Sequence, residues 1–453
     1  MTRGDSGKGD AVTIKFLPIF LVATLSVMID EIQMMLHEAI VGNLFDDAAF
    51  SAFNLVEPYS LLVSFVAYLI CVGGASLIVR AKGAGDQDGA RKLYNHSVTC
   101  CLVAGLAFFL VYSVFAVPLV RLVAEDSPAY PYALDIFYWL CFFNLLYPLY
   151  TFLFTYILYI GRKWVSLLSI LLQLVLSTVL SLYLGRLMGV GGTSLATAIS
   201  QLITVLFLCG YIIYTKQGIR YRPYINPAYI KRLCLLGLPE SSLMLVVAVM
   251  EAGVNALALK RYSIQGVTVV AMVINLFVIV GYVSEGVSEY ETVALNWAIG
   301  KGDRDQIRYG MRVTFLAGLI EGLAFSLLFL LGAPAFADIF GIDDAGTAKI
   351  TAVAIRILAI APIGIIVCRV TAIFHQYTNK VGQAVLIFLC AIGLIPLALA
   401  AVLSPVSLEA LVLGIALGPV VTVGFMWICP LSWNRNKPID LRRTTVVFRE
   451  ERL

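Results

Sequence analysis

Long apolar runs alternate with short polar connectors along almost the whole chain. Each run holds about 20 residues, which is enough for a helix to cross a hydrocarbon layer ~30 Å thick. Backbone N–H and C=O groups must be satisfied internally in lipid, so such runs fold as helices. The pattern predicts twelve spanning helices, over residues 16–42, 52–80, 95–120, 131–160, 164–185, 190–214, 233–258, 265–297, 310–332, 350–374, 381–403 and 408–430.

The composition supports a polytopic membrane protein of the all-α class. Apolar residues make up 60% of the chain and charged residues 13%, whereas soluble domains carry about 25% charged residues. The nine cysteines lie in apolar runs, where cysteine acts as a small hydrophobic residue. With no CxxC pair or Cys/His cluster, the sequence predicts neither a metal site nor a cofactor.

The distribution of basic residues predicts the orientation of the helices. If the N-terminus is cytoplasmic, 25 of the 32 Lys and Arg residues fall on the cytoplasmic side and five on the outer side. The other two, Arg356 and Arg369, lie within spans. Because Lys and Arg accumulate on the cytoplasmic side of membrane proteins, we expect a multi-pass plasma (inner) membrane protein with both termini in the cytoplasm.

A polar stretch recurs in the second half of the chain. KGAGDQDGAR at 82–91 returns as IGKGDRDQIR at 299–308, and the matching glycines, aspartates and arginines are 217 residues apart. Glycine permits the turn that ends a helix, and Asp can cap the next one, so both copies predict a helix-to-helix corner. Two six-helix lobes then form a parallel (2×6) repeat: an N-terminal segment 1–15, an N-lobe 16–214, a linker 215–232, a C-lobe 233–432 and a basic tail 433–453.

Four stretches resemble a known family of transporters. They are IVGNLFDDAAFSAFNLVEPY (40–59), GGASLIVRAKGAGDQDGARK (73–92), GVGGTSLATAISQLITVLF (189–207) and GLPESS (237–242). In this order they are similar to prokaryotic members of the multidrug and toxic compound extrusion (MATE) family. The resemblance implies twelve helices in two V-shaped lobes, a central cavity open to one side at a time, and export in exchange for H⁺ or Na⁺.

Ionisable residues inside predicted spans are the candidate coupling sites, because each costs at least ~2.5 kcal/mol at mid-span. Asp30 and His37 are seven residues apart, as are Glu31 and Glu38, so each pair shares a helix face. The family's first-helix Asp lies five residues before a V-G-[RN] glycine, a position occupied here by His37, which leaves the coupling acid open. The second half adds four acids: Glu240, Glu251, Glu285 and Glu289.

Further residues are candidates for a substrate cavity. Aromatic rings can stack on a cationic substrate, although packing or lipid contact is their commoner role. Arg369, or alternatively Arg356, can pair with a buried acid, and such pairs can equally be structural. The candidates are Glu57, Tyr138, Tyr147, Arg356 and Arg369.

These observations predict a cation-coupled antiporter, not an enzyme, that exports amphipathic or cationic small molecules. We expect a monomer whose partners are its substrate and the bilayer, with no nucleic acid and no catalytic residues. A lipid-linked oligosaccharide flippase is the alternative, but its pyrophosphate would require more basic residues within the spans. A membrane transferase is a weaker alternative, because DQD (86–88) and DRD (303–305) are the nearest approaches to a metal motif and their repetition argues against a unique active site there.

Overall fold

The structure, a computed structural model, describes residues 16–45, 47–124, 128–215, 221–339 and 345–428. The predicted segments 1–15 and 433–453 and part of the linker lie outside them. The described residues are almost entirely helical. The helices are α1 Phe16–Leu44, α2 Asp47–Gly83, α3 Gln87–Val114, α4 Ala116–Ala124, α5 Tyr130–Tyr159, α6 Lys163–Met188, α7 Val190–Tyr214, α8 Pro227–Lys301, α9 Arg304–Ile339, α10 Ala345–Leu358, α11 Ala361–Tyr377, α12 Val381–Phe388, a π-helical segment Leu389–Leu394, α13 Ile395–Leu403 and α14 Leu408–Ile428.

The number of spans agrees with the sequence prediction. Within the described residues, eleven helical stretches are long and apolar enough to cross a membrane, and the bent pair α10 and α11 brings the number to twelve. That pair bends by 41° at residues 359–360. Pro362 opens α11, where a missing backbone donor is tolerated because the first turn needs none. The predicted all-α membrane fold is confirmed.

Helix α8 contains two spans that run in opposite directions beside α2. Near its start, Gly237 packs on Leu69 and Leu233 on Gly73, so this part is antiparallel to α2. Near its end, Asn296 bonds to Arg80 and Gly300 packs on Gly83, so this part is parallel to α2. The chain must therefore reverse direction between the spans 227–262 and 269–301.

Both copies of the repeated polar stretch form the predicted corner. Gly85 and Gly302 adopt φ of 79° and 71°, a left-handed conformation that glycine adopts at little cost. Asp86 accepts a hydrogen bond from Gly89 N at 2.8 Å, and Asp303 accepts one from Gln306 N at 2.9 Å. We call the end of the molecule that carries both turns the corner end.

The two halves pack tightly against each other at the corner end. A Cβ on Gly300 would lie 2.3 Å from the carbonyl oxygen of Arg80, and one on Gly83 would lie 2.8 Å from that of Trp297. Both pairs are related by the same 217-residue offset, so the repeat axis passes between the glycines. We call this contact the glycine seam.

Arg80 adds a polar tie beside the glycine seam. Its Nε donates to Asn296 Oδ1 at 2.6 Å, and its Nη2 donates to the Tyr377 carbonyl at 3.0 Å. The side chain is buried and both acceptors belong to the second half. Bonds from a charged donor to buried acceptors contribute about 1.5–3 kcal/mol each, so they help to hold this end closed.

The connector between the halves is docked on the first half. Residues 221–226 have no regular secondary structure. Tyr224 N donates to Thr99 Oγ1 at 3.2 Å, and Asn226 N donates to His96 Nδ1 at 3.3 Å. The Asn226 side chain then caps α8 by accepting from Ala228 N at 2.9 Å.

Candidate transport site

Carboxylates from both halves lie near one another beside α1. The Tyr282 hydroxyl of α8 is hydrogen-bonded to the Glu31 carboxylate of α1. Glu31 also lies within electrostatic range of Glu38, Glu57 and Glu285. Glu31 of the first half is therefore linked to the second half through Tyr282.

The series of acids continues from α1 to α2 and the first span of α8. Glu57 lies within electrostatic range of Glu38 and Glu251, and all three side chains keep solvent-accessible surface. We call the set Glu31, Glu38, Glu57, Glu251 and Tyr282 the acidic cleft. Its accessible carboxylates contrast with the packed glycine seam at the corner end.

Asp30 faces the interior of the first half. It lies within electrostatic range of Tyr68, Tyr147 and Tyr150. Tyr147, a predicted cavity residue, is hydrogen-bonded to Ser64. Asp30 therefore lies near phenols of the first half, whereas Glu31 is hydrogen-bonded to Tyr282 of the second.

His37 of α1 packs against α2. Its ring packs on Phe53 with centroids 4.9 Å apart, and only 7% of the residue is exposed. Its Nε2 has no hydrogen-bond partner among the described residues. Nε2 is thus a buried polar atom without a partner among the described residues, between α1 and α2.

The acids of the second half surround one arginine. Arg369 Nη2 lies 3.7 Å from Glu240 Oε2 and 3.7 Å from Glu285 Oε2. Its Nε donates to Ser288 Oγ at 2.7 Å, and its Nη1 to the Gly281 carbonyl at 3.3 Å. We call this place the arginine pocket; it is lined by Tyr68, Val72, Tyr159, Glu240, Glu285, Ser288, Glu289, Thr292, Arg369 and Tyr377.

The arginine pocket lies between the halves and connects to the acidic cleft. Tyr68, Val72 and Tyr159 come from the first half, and the Tyr159 hydroxyl donates to Glu289 Oε1 at 3.5 Å. Glu285 lies within electrostatic range of both Asp30 and Glu31. The coupling candidates of the two halves are therefore close enough to influence one another.

Other predicted residues lie away from this arrangement. Tyr138 is 44% exposed, and Arg356 is exposed on α10, so Arg369 is the arginine that pairs with acids in the arginine pocket. Glu321 of α9 also lies within electrostatic range of Arg369. Among the described residues, no group of three or more His, Cys, Asp or Glu side chains is arranged to hold a metal ion.

Several polar residues of the site were not predicted from the sequence. Tyr282 lies three residues before Glu285 and so near its face of the helix, a spacing that could have indicated it. Ser288 and Tyr159 gave no comparable signal. Their role depends on contacts between helices far apart in the chain.

This geometry describes a helical membrane fold in which two repeated halves bring a group of carboxylates close together. Residues 18–182, from α1 into α6, match the family model MatE. No curated protein matches the chain.

Solved structures match over the whole fold. The chain is similar to an outward-facing multidrug resistance MATE family transporter of the MOP superfamily (19% identity, 92% of this chain and 96% of that chain, TM-score 0.81). It is also similar to a MOP superfamily transporter from Pyrococcus furiosus Vc1, described as having a binding pocket of reverse polarity (18% identity, 92% of this chain and 96% of that chain, TM-score 0.81). A third similar structure is a MATE protein in the straight conformation (20% identity, 91% of this chain and 94% of that chain, TM-score 0.82).

The resemblance predicted from the sequence is confirmed. Residues 18–182 match the MatE family model, and about nine-tenths of the chain has the fold of MATE transporters.

Proposed function

We propose that this transporter is a cation-coupled antiporter, driven by H⁺ or Na⁺, that exports amphipathic or cationic small molecules. The observation that carries the proposal is the acidic cleft. Its carboxylates come from both halves and keep accessible surface, and the groups within electrostatic range of Glu31 are further acids and one tyrosine. Such a surface attracts positive charge and repels anions.

The packing of the halves supports alternating access. The glycine seam and the Arg80 tie close the corner end, whereas the acidic cleft is accessible. We place the corner end in the cytoplasm, because the helix ends there carry Lys82, Arg91, Lys301 and Arg308, in agreement with the positive-inside rule. In this state ions enter from outside, and rocking of one half against the other would then expose the cleft to the cytoplasm.

The site favours a cation over a lipid-linked pyrophosphate. A flippase would need free basic groups for its anionic headgroup, but Arg369 already contacts two glutamates and Arg356 lies on the exposed side of α10. The acidic cleft would repel a pyrophosphate. We further propose that the protein acts as a monomer in the plasma membrane, with the lobes 16–214 and 233–432 as its moving bodies.

Export from proteoliposomes tests the proposal. We expect efflux of a cationic dye when an inward H⁺ or Na⁺ gradient is imposed. Glu57→Gln should raise KM for the dye about fivefold, since a partly hydrated ion pair contributes about 1 kcal/mol. Asp305→Asn is the matched control, because that carboxylate is 95% exposed at the corner end.

Two results would contradict the proposal. One is that neither gradient drives efflux of any cationic probe. The other is that Glu57→Gln and the double variant Glu31→Gln/Glu57→Gln transport the dye with wild-type KM.

A further inference from the structure

The guanidinium of Arg369 occupies a place whose oxygens would suit a metal cation. Its donors meet two carboxylates, the Ser288 hydroxyl and the Gly281 carbonyl. Carboxylate, hydroxyl and carbonyl oxygens are the ligands that hard metal ions prefer. Arg369 is 7% exposed, so the positive charge at this place belongs to a buried side chain and not to an ion bound from solution.

The arginine does not balance all the acids around it. Glu289 Oε2 and both carboxyl oxygens of Glu291 are buried and have no hydrogen-bond partner in the described parts of the chain. Glu291 is 0% exposed and lies within electrostatic range of Glu240 and Arg369. A buried carboxylate without a partner is strongly disfavoured, so the unpaired acids are suited to hold protons.

Protons and Na⁺ place different demands on this site. A proton binds one carboxyl oxygen and needs no coordination shell. Na⁺ needs several oxygen ligands that converge on one point. In the arginine pocket the oxygens of Glu240, Glu285, Ser288 and Gly281 already contact the guanidinium. Repulsion between the fixed guanidinium and a second cation adds to this exclusion.

We propose that Arg369 sets the ion selectivity of the second half, excluding Na⁺ from the Glu240 and Glu285 carboxylates and leaving protons as the ions that this half can bind. The inference rests on the proposed function, which requires a coupling cation. Protonation of Glu240 or Glu285 removes one contact of Arg369 and leaves the other. The ionisable groups in the pocket, or within electrostatic range of its acids or of Arg369, are Tyr68 and Cys71 of α2, Tyr159 of α5, Tyr282, Glu289 and Glu291 of α8, Glu321 of α9, Arg369 and Tyr377 of α11, and Asp30 and Glu31 of α1.

Cation-dependent stability of the full chain in detergent tests this role. A ligand that binds the folded state raises the unfolding temperature by mass action. We would titrate Na⁺ against N-methylglucamine at constant ionic strength and alkaline pH. The second half should give no saturable Na⁺ response in the wild type, whereas Arg369→Gln should gain one, and Arg369→Lys, which keeps the charge, should not.

Further variants show which half of the protein gives the Na⁺ response, and one of them replaces Arg369→Gln if that variant does not fold. Glu240→Gln should abolish the Na⁺ response gained by Arg369→Gln, whereas Asp30→Asn should leave it. If Arg369→Gln does not fold, Arg369→Gln/Glu291→Gln removes one acid with the arginine and serves in its place.

Either of two results overturns the assignment. The first is a saturable Na⁺ response in the wild type that Glu240→Gln removes. The second is a folded arginine-free variant that shows no such response. Because the readout is ion binding, a lack of dye export would count against the proposed function and leave the selectivity of Arg369 to be judged separately.

Discussion

Replacing Gly300 by alanine should prevent the corner end from closing fully. The new Cβ would lie 2.3 Å from the Arg80 carbonyl oxygen and 3.0 Å from the Gly83 Cα. Both neighbours are backbone atoms, so α2 and α8 must move apart. Overpacking of this kind costs about 1–3 kcal/mol, which lowers the ratio of closed to open molecules by about 5- to 150-fold.

Distance measurements across the glycine seam would detect this shift. Spin labels at positions 91 and 308 suit the purpose, because these arginines are repeat equivalents with side chains 53% and 48% exposed. Their ion pairs with Asp88 and Asp305 are exposed and contribute little. Noncanonical amino acids should carry the labels, since the chain has nine native cysteines.

Gly300→Ala should show a longer distance population than the wild type. Gly210→Ala is the matched control, because a Cβ there meets no atom within 4 Å. If both variants give the wild-type distance distribution, the glycine seam does not limit closure and the reasoning fails.

Two further predictions concern stability. Asp135 Oδ2 accepts a hydrogen bond of 2.9 Å from Gly191 N in the first turn of α7, so Asp135→Ala should lower the free energy of unfolding by about 0.5–2 kcal/mol. The thermal midpoint of Asp135→Ala should fall below that of Asp135→Asn, and equal midpoints would refute the cap. Asn226→Ala should lower the free energy of unfolding by about 1 kcal/mol, because α8 loses its cap. If Asn226→Ala unfolds at the same temperature as Asn226→Asp, which keeps a capping oxygen, the cap does not contribute to stability.

Local signals were sufficient to predict the spans and the corners. Hydropathy reports whether a segment can lie in lipid, and this property does not depend on its neighbours. The turns at Gly85 and Gly302 follow from residues within one short stretch. The bend between α10 and α11 lies beside Pro362, but a proline alone does not fix the angle of a bend.

The arrangement of the acids could not be predicted in the same way. Asp30 and Glu31 are adjacent in sequence, yet one faces phenols of the first half and the other Tyr282 of the second. Which face of α1 meets which helix depends on packing across the whole chain. The choice of Arg369 over Arg356 as the partner of Glu240 likewise depends on how α11 rotates against α8.

The glycine seam has a consequence for how such a chain could arise. A residue that touches its own repeat equivalent makes a contact that two identical chains could make across a twofold axis. Gly83 faces the carbonyl of residue 297 just as Gly300 faces that of residue 80. An ancestral protein of six helices could therefore have paired with a second copy through this surface before gene fusion joined them.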